Sequence, residues 1–164
     1  MDIPEPLLML AGFVFAHATW SVSDLPEGDL LVPLAMVETS GQRQLLRFEA
    51  DTQEEAIAQG KATLAQHENM LDAWAIAREG QIEDADGYGD VLTIEAKASG
   101  MTEPVVFVQG FQPFAKGAFK LIGQPMVVIG GKVVAHAETA LLLAQLEHGI
   151  QSHEKAAELW PEWL

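Results

Sequence analysis

The chain has 164 residues, 49% of them apolar, no cysteine, and 24 acidic against 9 basic side chains, a formal charge of −15. That length suits one domain, and the apolar share excludes general disorder. The missing cysteine excludes disulfides, thiolate metal sites and thiol nucleophiles, and the charge argues against direct binding to a phosphate backbone, which needs concentrated Lys and Arg.

The acidity is uneven. Residues 1–42 hold six acids and no Lys or Arg; residues 43–132 hold thirteen acids and eight bases; residues 133–164 hold five acids and only Lys155. Such a field keeps a protein soluble and repels nucleic acid and anionic membrane, while attracting basic partners.

Leu7 to Ala16 is an unbroken apolar run behind MDIPEP. Its flank is negative where a secretion signal is positive, and about 20 residues are needed to span a bilayer. The expectation is therefore folded protein, with the cytoplasm as compartment and no membrane. Pro4 and Pro6 suit a first helical turn, and Leu7, Leu10, Ala11, Val14, Phe15 and Ala18 follow helical spacing. Residues 12–22 also fit a strand; helix is favoured. Because this helix is apolar on more than one face, one sheet should not cover it, which points to a partner chain.

LPEGD (25–29) is a turn, Leu30 to Glu38 a strand interrupted by Pro33, and Ser40-Gly41 a turn into a second strand, Gln44 to Glu49. Asp51 or Thr52 caps a middle helix whose core face is Ala56, Ile57, Gly60, Thr63 and Leu64. Asp72 to Ile82 reads as a strand, and Leu92 to Ala98 alternates as a half-buried one. Val105 to Val108 reads as a central strand, Gly117 to Ile122 and Met126 to Ile129 as two more. Gly130-Gly131 is a hairpin signal leading into Lys132 to Ala135. It is not a phosphate loop, because Met126 and Val133 stand where Gly and Ser or Thr are required. A last helix runs from His136 to about Lys155, with Ala137, Ala140, Leu141, Ala144 and Ile150 on its core face and Gly149 as a possible break. The expectation is one α+β domain over 1–164: a largely antiparallel, meander-like sheet of about six to seven strands with an N-terminal apolar helix, a middle helix and a C-terminal helix packed on it.

Residues 84–95, DADGYGDVLTIE, resemble the calcium loop of the EF-hand family. Asp84 and Asp86 fall at loop positions one and three, Gly89 at the sharp turn, Asp90 at position seven and Glu95 at the bidentate twelfth. Tyr88 departs from the pattern at position five. The resemblance implies a cation held by Asp84, Asp86, Asp90 and Glu95; the favoured reading is an Asp/Gly hairpin with no cofactor.

His148 and His153 lie about 140° apart on a helix, which does not suit a zinc pair. His17, beside Trp20 and Ser21, is expected to be a buried histidine bonded to Ser21 or a carbonyl, with a ligand pocket at His17, Trp20 and Ser21 as the alternative. No G-x-S-x-G turn surrounds any serine, so enzyme chemistry has no positive signal. Trp160 and Trp163 in the last five residues expect docking, onto the body or, with Phe13, onto a second subunit. The functional expectation is a small acidic non-catalytic protein acting through protein binding or self-association, as a homodimer. Two alternatives stand beside it: a ligand binder or enzyme with a pocket near His17 and Trp20, and an acidic antagonist of a basic protein partner.

Overall fold

The computed structural model describes residues 3–84 and 87–164. Seven strands form one sheet in the order β2-β1-β3-β4-β5-β6-β7, with every neighbouring pair antiparallel. The strands are β1 (Leu34–Thr39), β2 (Gln42–Arg47), β3 (Ala73–Asp84), β4 (Gly87–Ala98), β5 (Val105–Gln112), β6 (Lys120–Ile129) and β7 (Lys132–Val133). The helices are α1 (Glu5–Val22), α2 (Gln53–His67), α3 (His136–Gln151) and α4 (Glu154–Trp163). The α+β meander of the sequence reading is this architecture.

The turns follow their chemistry. Ser40 and Gly41 both have positive φ, 52° and 79°, as do Gly130 and Gly131, 60° and 75°. Two central residues of that hand match the strand twist, so β1–β2 and β6–β7 close in two-residue hairpins. Thr52 Oγ1 accepts the Glu55 N–H at 3.1 Å and starts α2.

Element ends and one buried face differ from the sequence reading; β1 begins at Leu34, after Pro33, rather than at Leu30. Gly117 to Ile122 and Met126 to Ile129 are not two strands: one strand, β6, runs unbroken from Lys120 to Ile129, with Gly117 to Phe119 before it and its register against β5 shifting between Val108 and Gly110. The buried Gln109 amide fills the irregularity, donating to the carbonyls of Ile122 and Gly123 at 3.1 Å each. The last helix breaks after Gln151, not at Gly149. Its expected core face was rotated. Ala137, Ala140, Leu141 and Ala144 are exposed, and Thr139, Leu146, Gly149 and Ile150 are buried.

Gly149 explains that rotation. An added Cβ there would meet the Met9 carbonyl oxygen and lie 2.9 Å from the Gly12 Cα; one at Gly12 would meet the Leu146 carbonyl oxygen. Two glycines facing each other bring α1 and α3 into backbone contact, and the crossing point fixes which side of α3 is inside. The main core then forms between α1 and one face of the sheet, with Leu34, Met36, Ala75, Ala77, Ile94 and Phe107 under the helix. The opposite face carries a smaller core beneath α2, built from Ala35, Val37, Phe48, Ala56, Leu64, Trp74 and Ile76.

The apolar circumference of α1 is thus covered inside its own chain. Leu8, Leu10, Ala11, Val14 and Ala16 are fully buried, with the sheet on one side and α3 and α4 on the other. By length and composition α1 is apolar enough to cross a membrane; in this fold it is the central core helix. Contrary to the expectation, α1 needs no partner chain to cover it.

Candidate functional site

Two places stand out: a histidine pair where α1 meets α4, and the part of the sheet that lies beyond α2 on the face opposite α1.

His17 Nδ1 lies 3.0 Å from His153 Nε2. His153 precedes α4, and its Nδ1 accepts the Ala156 N–H at 3.1 Å. That cap fixes the protons. A neutral imidazole that accepts through Nδ1 carries its hydrogen on Nε2, so His153 donates to His17 Nδ1 and His17 keeps its own hydrogen on Nε2. The His17 Nε2 is buried without a partner.

Aromatic rings enclose the pair. Phe13 lies 5.0 Å from the His153 ring, and Trp20 lies 5.7 Å from His17 and 5.8 Å from His153. Lys155 Nζ stands 5.1 Å over Trp20, and the Arg43 guanidinium 5.6 Å over Phe13. Burial pushes both histidines below the ordinary imidazole value; His153 and then Arg47 add to it at His17, while at His153 a backbone hydrogen bond opposes it and Lys155 adds to it.

His17 and Trp20 are therefore brought together as expected, but the bond assigned to Ser21 is not made. Ser21 Oγ donates to the backbone carbonyl of His17, one turn back, at 2.7 Å. The ring's partner is His153, a residue that the sequence reading tested only against His148. The sequence reading runs one helix through His153, so neither its place before α4 nor its contact with His17 was legible. The cavities described below lie elsewhere, so the pair is a packed polar contact.

Trp163 is buried against Phe119, ring centroids 5.6 Å apart, and Trp160 sets its edge on Phe15 at 5.3 Å. The tail tryptophans thus dock on the body. Phe13, half-buried, belongs to the histidine cluster.

Of the calcium-loop residues, Asp86 and the side chain of Asp84 lie outside the described residues. The backbone from Ala73↔Ala98 to Asp84↔Gly87 is a continuous antiparallel ladder. Asp90 and Glu95, five apart on β4, therefore face opposite sides of the sheet and do not share an ion. Asp90 faces Lys116 at 3.6 Å and Glu95 faces Lys61 at 3.8 Å. Among the described residues no group of three or more His, Asp or Glu is placed to hold a metal ion. A cavity of about 200 Å³ beside Asp90 is lined by Glu27, Asp29 and Glu79. Burial raises the Glu79 carboxyl above its ordinary range, although its Oε1 accepts the Leu31 N–H at 3.3 Å. A more apolar trough of about 420 Å³ lies between the end of α2 and β1–β2, lined by Val37, Leu46, Leu64 and Leu71 with His67 at its side.

The uncovered side of the sheet is different in kind. α2 lies against β1 and β3, and beyond them Val106, Val108, Ile122, Met126, Val128 and Val133 share one face of β5, β6 and β7. Ile122 is 61% exposed, Met126 39% and Val133 62%. Residues 104–137 contain no acid at all and three lysines, Lys116, Lys120 and Lys132, which leaves −18 on the rest of the chain. Counting residues 43–132 together hides this contrast, because all thirteen of their acids lie in residues 43–103. The chain matches no family model, and comparison with curated proteins and with solved structures gives no match.

Proposed function

We propose that this is a small acidic non-catalytic protein that works by self-association, two copies meeting through the open face of β5, β6 and β7. One observation carries the reading: the exposed apolar stripe lies in the acid-free part of a chain of charge −15.

Two such chains repel wherever carboxylates meet. Face-to-face contact through this stripe brings valine, isoleucine and methionine together, with Glu95, opposite Val106 and paired with Lys61, at its rim and the other acids farther off, where salt screens them within about 10 Å. Interface cores are depleted in charge in the same way. A twofold arrangement uses the same patch on both copies and closes the assembly at two. The histidine pair supports no competing catalytic reading, because its rings bond to each other and to a helix cap, with Ser21 Oγ already donating to a carbonyl.

Sedimentation equilibrium at micromolar concentration tests the proposal. The expected result is a dimer strengthened by added salt, and a monomer for Ile122→Glu with an unfolding midpoint like that of the parent. A parent chain that stays monomeric with and without salt overturns it.

A further inference from the structure

We propose that His17 and His153 form an acid-sensitive latch that holds α4 on the body of the protein and releases it when the pair takes up a proton. The inference is independent of self-association and rests on the geometry of two hydrogen bonds.

Both nitrogens that could accept a proton are already accepting hydrogen bonds. His153 Nδ1 takes the Ala156 N–H, and His17 Nδ1 takes the His153 Nε2–H. A proton on His153 Nδ1 removes the cap of α4 and sets a positive charge at a helix N-terminus, where the macrodipole is itself positive. A proton on His17 Nδ1 turns two donors toward each other across 3.0 Å. His153 can then accept only by moving its own hydrogen to Nδ1, which again removes the cap. Each route ends at the first turn of α4.

Among the described residues no carboxylate bonds to either ring; a backbone hydrogen bond favours a proton on His153, but burial outweighs it. Among the described residues, the charged groups acting on the rings are Arg47 from β2, on His17, and Lys155 from α4, on His153. Arg43, also from β2, stands over Phe13, the ring packed on His153. All three are cations; Arg43 is itself paired with Glu38 at 3.1 Å, and Glu154 follows His153 in the first turn of α4. The folded state therefore binds protons less readily than the unfolded chain. The stability that the pair contributes is present above the ordinary imidazole value of 6.5 and is lost as pH falls below it.

What the latch holds is specific. α4 carries Trp160 onto Phe15 and Trp163 onto Phe119, and Lys120 Nζ donates to the Glu162 carbonyl at 2.7 Å. Releasing its first turn uncovers that aromatic seat while β4 and β5, the middle of the sheet, keep their pairing.

Amide hydrogen exchange on the full chain tests this, read at about pH 7.5 and about pH 5.5, on either side of the imidazole range, after correction for intrinsic exchange. The expected result is a loss of protection in α4 relative to β5 at the lower pH, by roughly fivefold, the factor that one lost N-cap carries. His153→Asn, which caps without titrating, should abolish the change. Imidazole NMR of the parent chain provides a second readout that needs no variant: His17 and His153 should titrate together, below a free imidazole. Equal protection of α4 at both pH values overturns the latch. So does the same loss in His153→Asn, or two histidines titrating independently as free imidazoles do.

Discussion

The two sides of the sheet carry the same kind of residue and meet different fates. On the α1 side, Ala75, Ala77, Ile94, Val105 and Phe107 lie under a helix that α3 and α4 cover in turn. On the other side α2 shields β1 and β3, and the apolar positions of β5 to β7 are left open. Alternation along β5 is complete: Val105, Phe107, Gln109 and Phe111 are buried, while their neighbours are half-buried. Periodicity thus reports that a face is apolar, but not what covers it. What differs between the sides is the helix layer: β5 to β7 are free of acids on both faces, but only the α1 side is covered.

Placing one substitution on both sides should give the largest contrast. Gly12→Ala puts a methyl onto the Leu146 carbonyl oxygen and forces α1 and α3 apart, for an expected loss of about 3 kcal/mol in urea unfolding. Gly110→Ala, on the open side of β5, places its Cβ 3.5 Å from the Ile122 carbonyl oxygen, an ordinary contact, and should change stability by less than about 1 kcal/mol. Equal losses at the two sites would mean that the α1–α3 crossing yields more readily than its backbone contacts imply.

These contacts also mark where sequence reading stopped. The meander, the hairpin turns, the Thr52 cap and the helical character of residues 5–22 were legible, because each rests on local chemistry or on a repeat along one strand or helix. The rotation of α3 was not, since alanine is neutral in an apolar pattern and the deciding residue, Gly149, matters only opposite Gly12. The need for a partner to cover α1 was inferred from a two-layer picture. The third layer, formed by α3 and α4, required knowing that the C-terminal segment folds back. His17 was noticed from its apolar setting; its partner lies 136 residues away, a distance no spacing rule spans.

A smaller effect is expected at Glu79, on the α1 side of β3 beyond Ala77. Burial and the nearby Asp90 raise its carboxyl, so the charged form weakens the fold at neutral pH. The folded state holds this proton more tightly than the unfolded chain, and the parent therefore gains stability as pH falls toward the ordinary carboxylate value. Glu79→Gln keeps an acceptor for the Leu31 N–H without the charge. It should raise the unfolding midpoint at pH 7 and lose that pH-dependent gain. A lower midpoint at pH 7 would show that the carboxylate is needed there.

The most direct test of the open face compares two methionines in one molecule. Met126 lies on the β5–β7 stripe, 39% exposed, and Met70 lies beyond the end of α2, 66% exposed. Peroxide oxidation of each, followed by mass spectrometry across a dilution series, reads the face itself. If two copies close on it, Met126 is oxidised more slowly as concentration rises, while Met70 keeps a constant rate. Constant rates at both positions through the micromolar range would contradict the account.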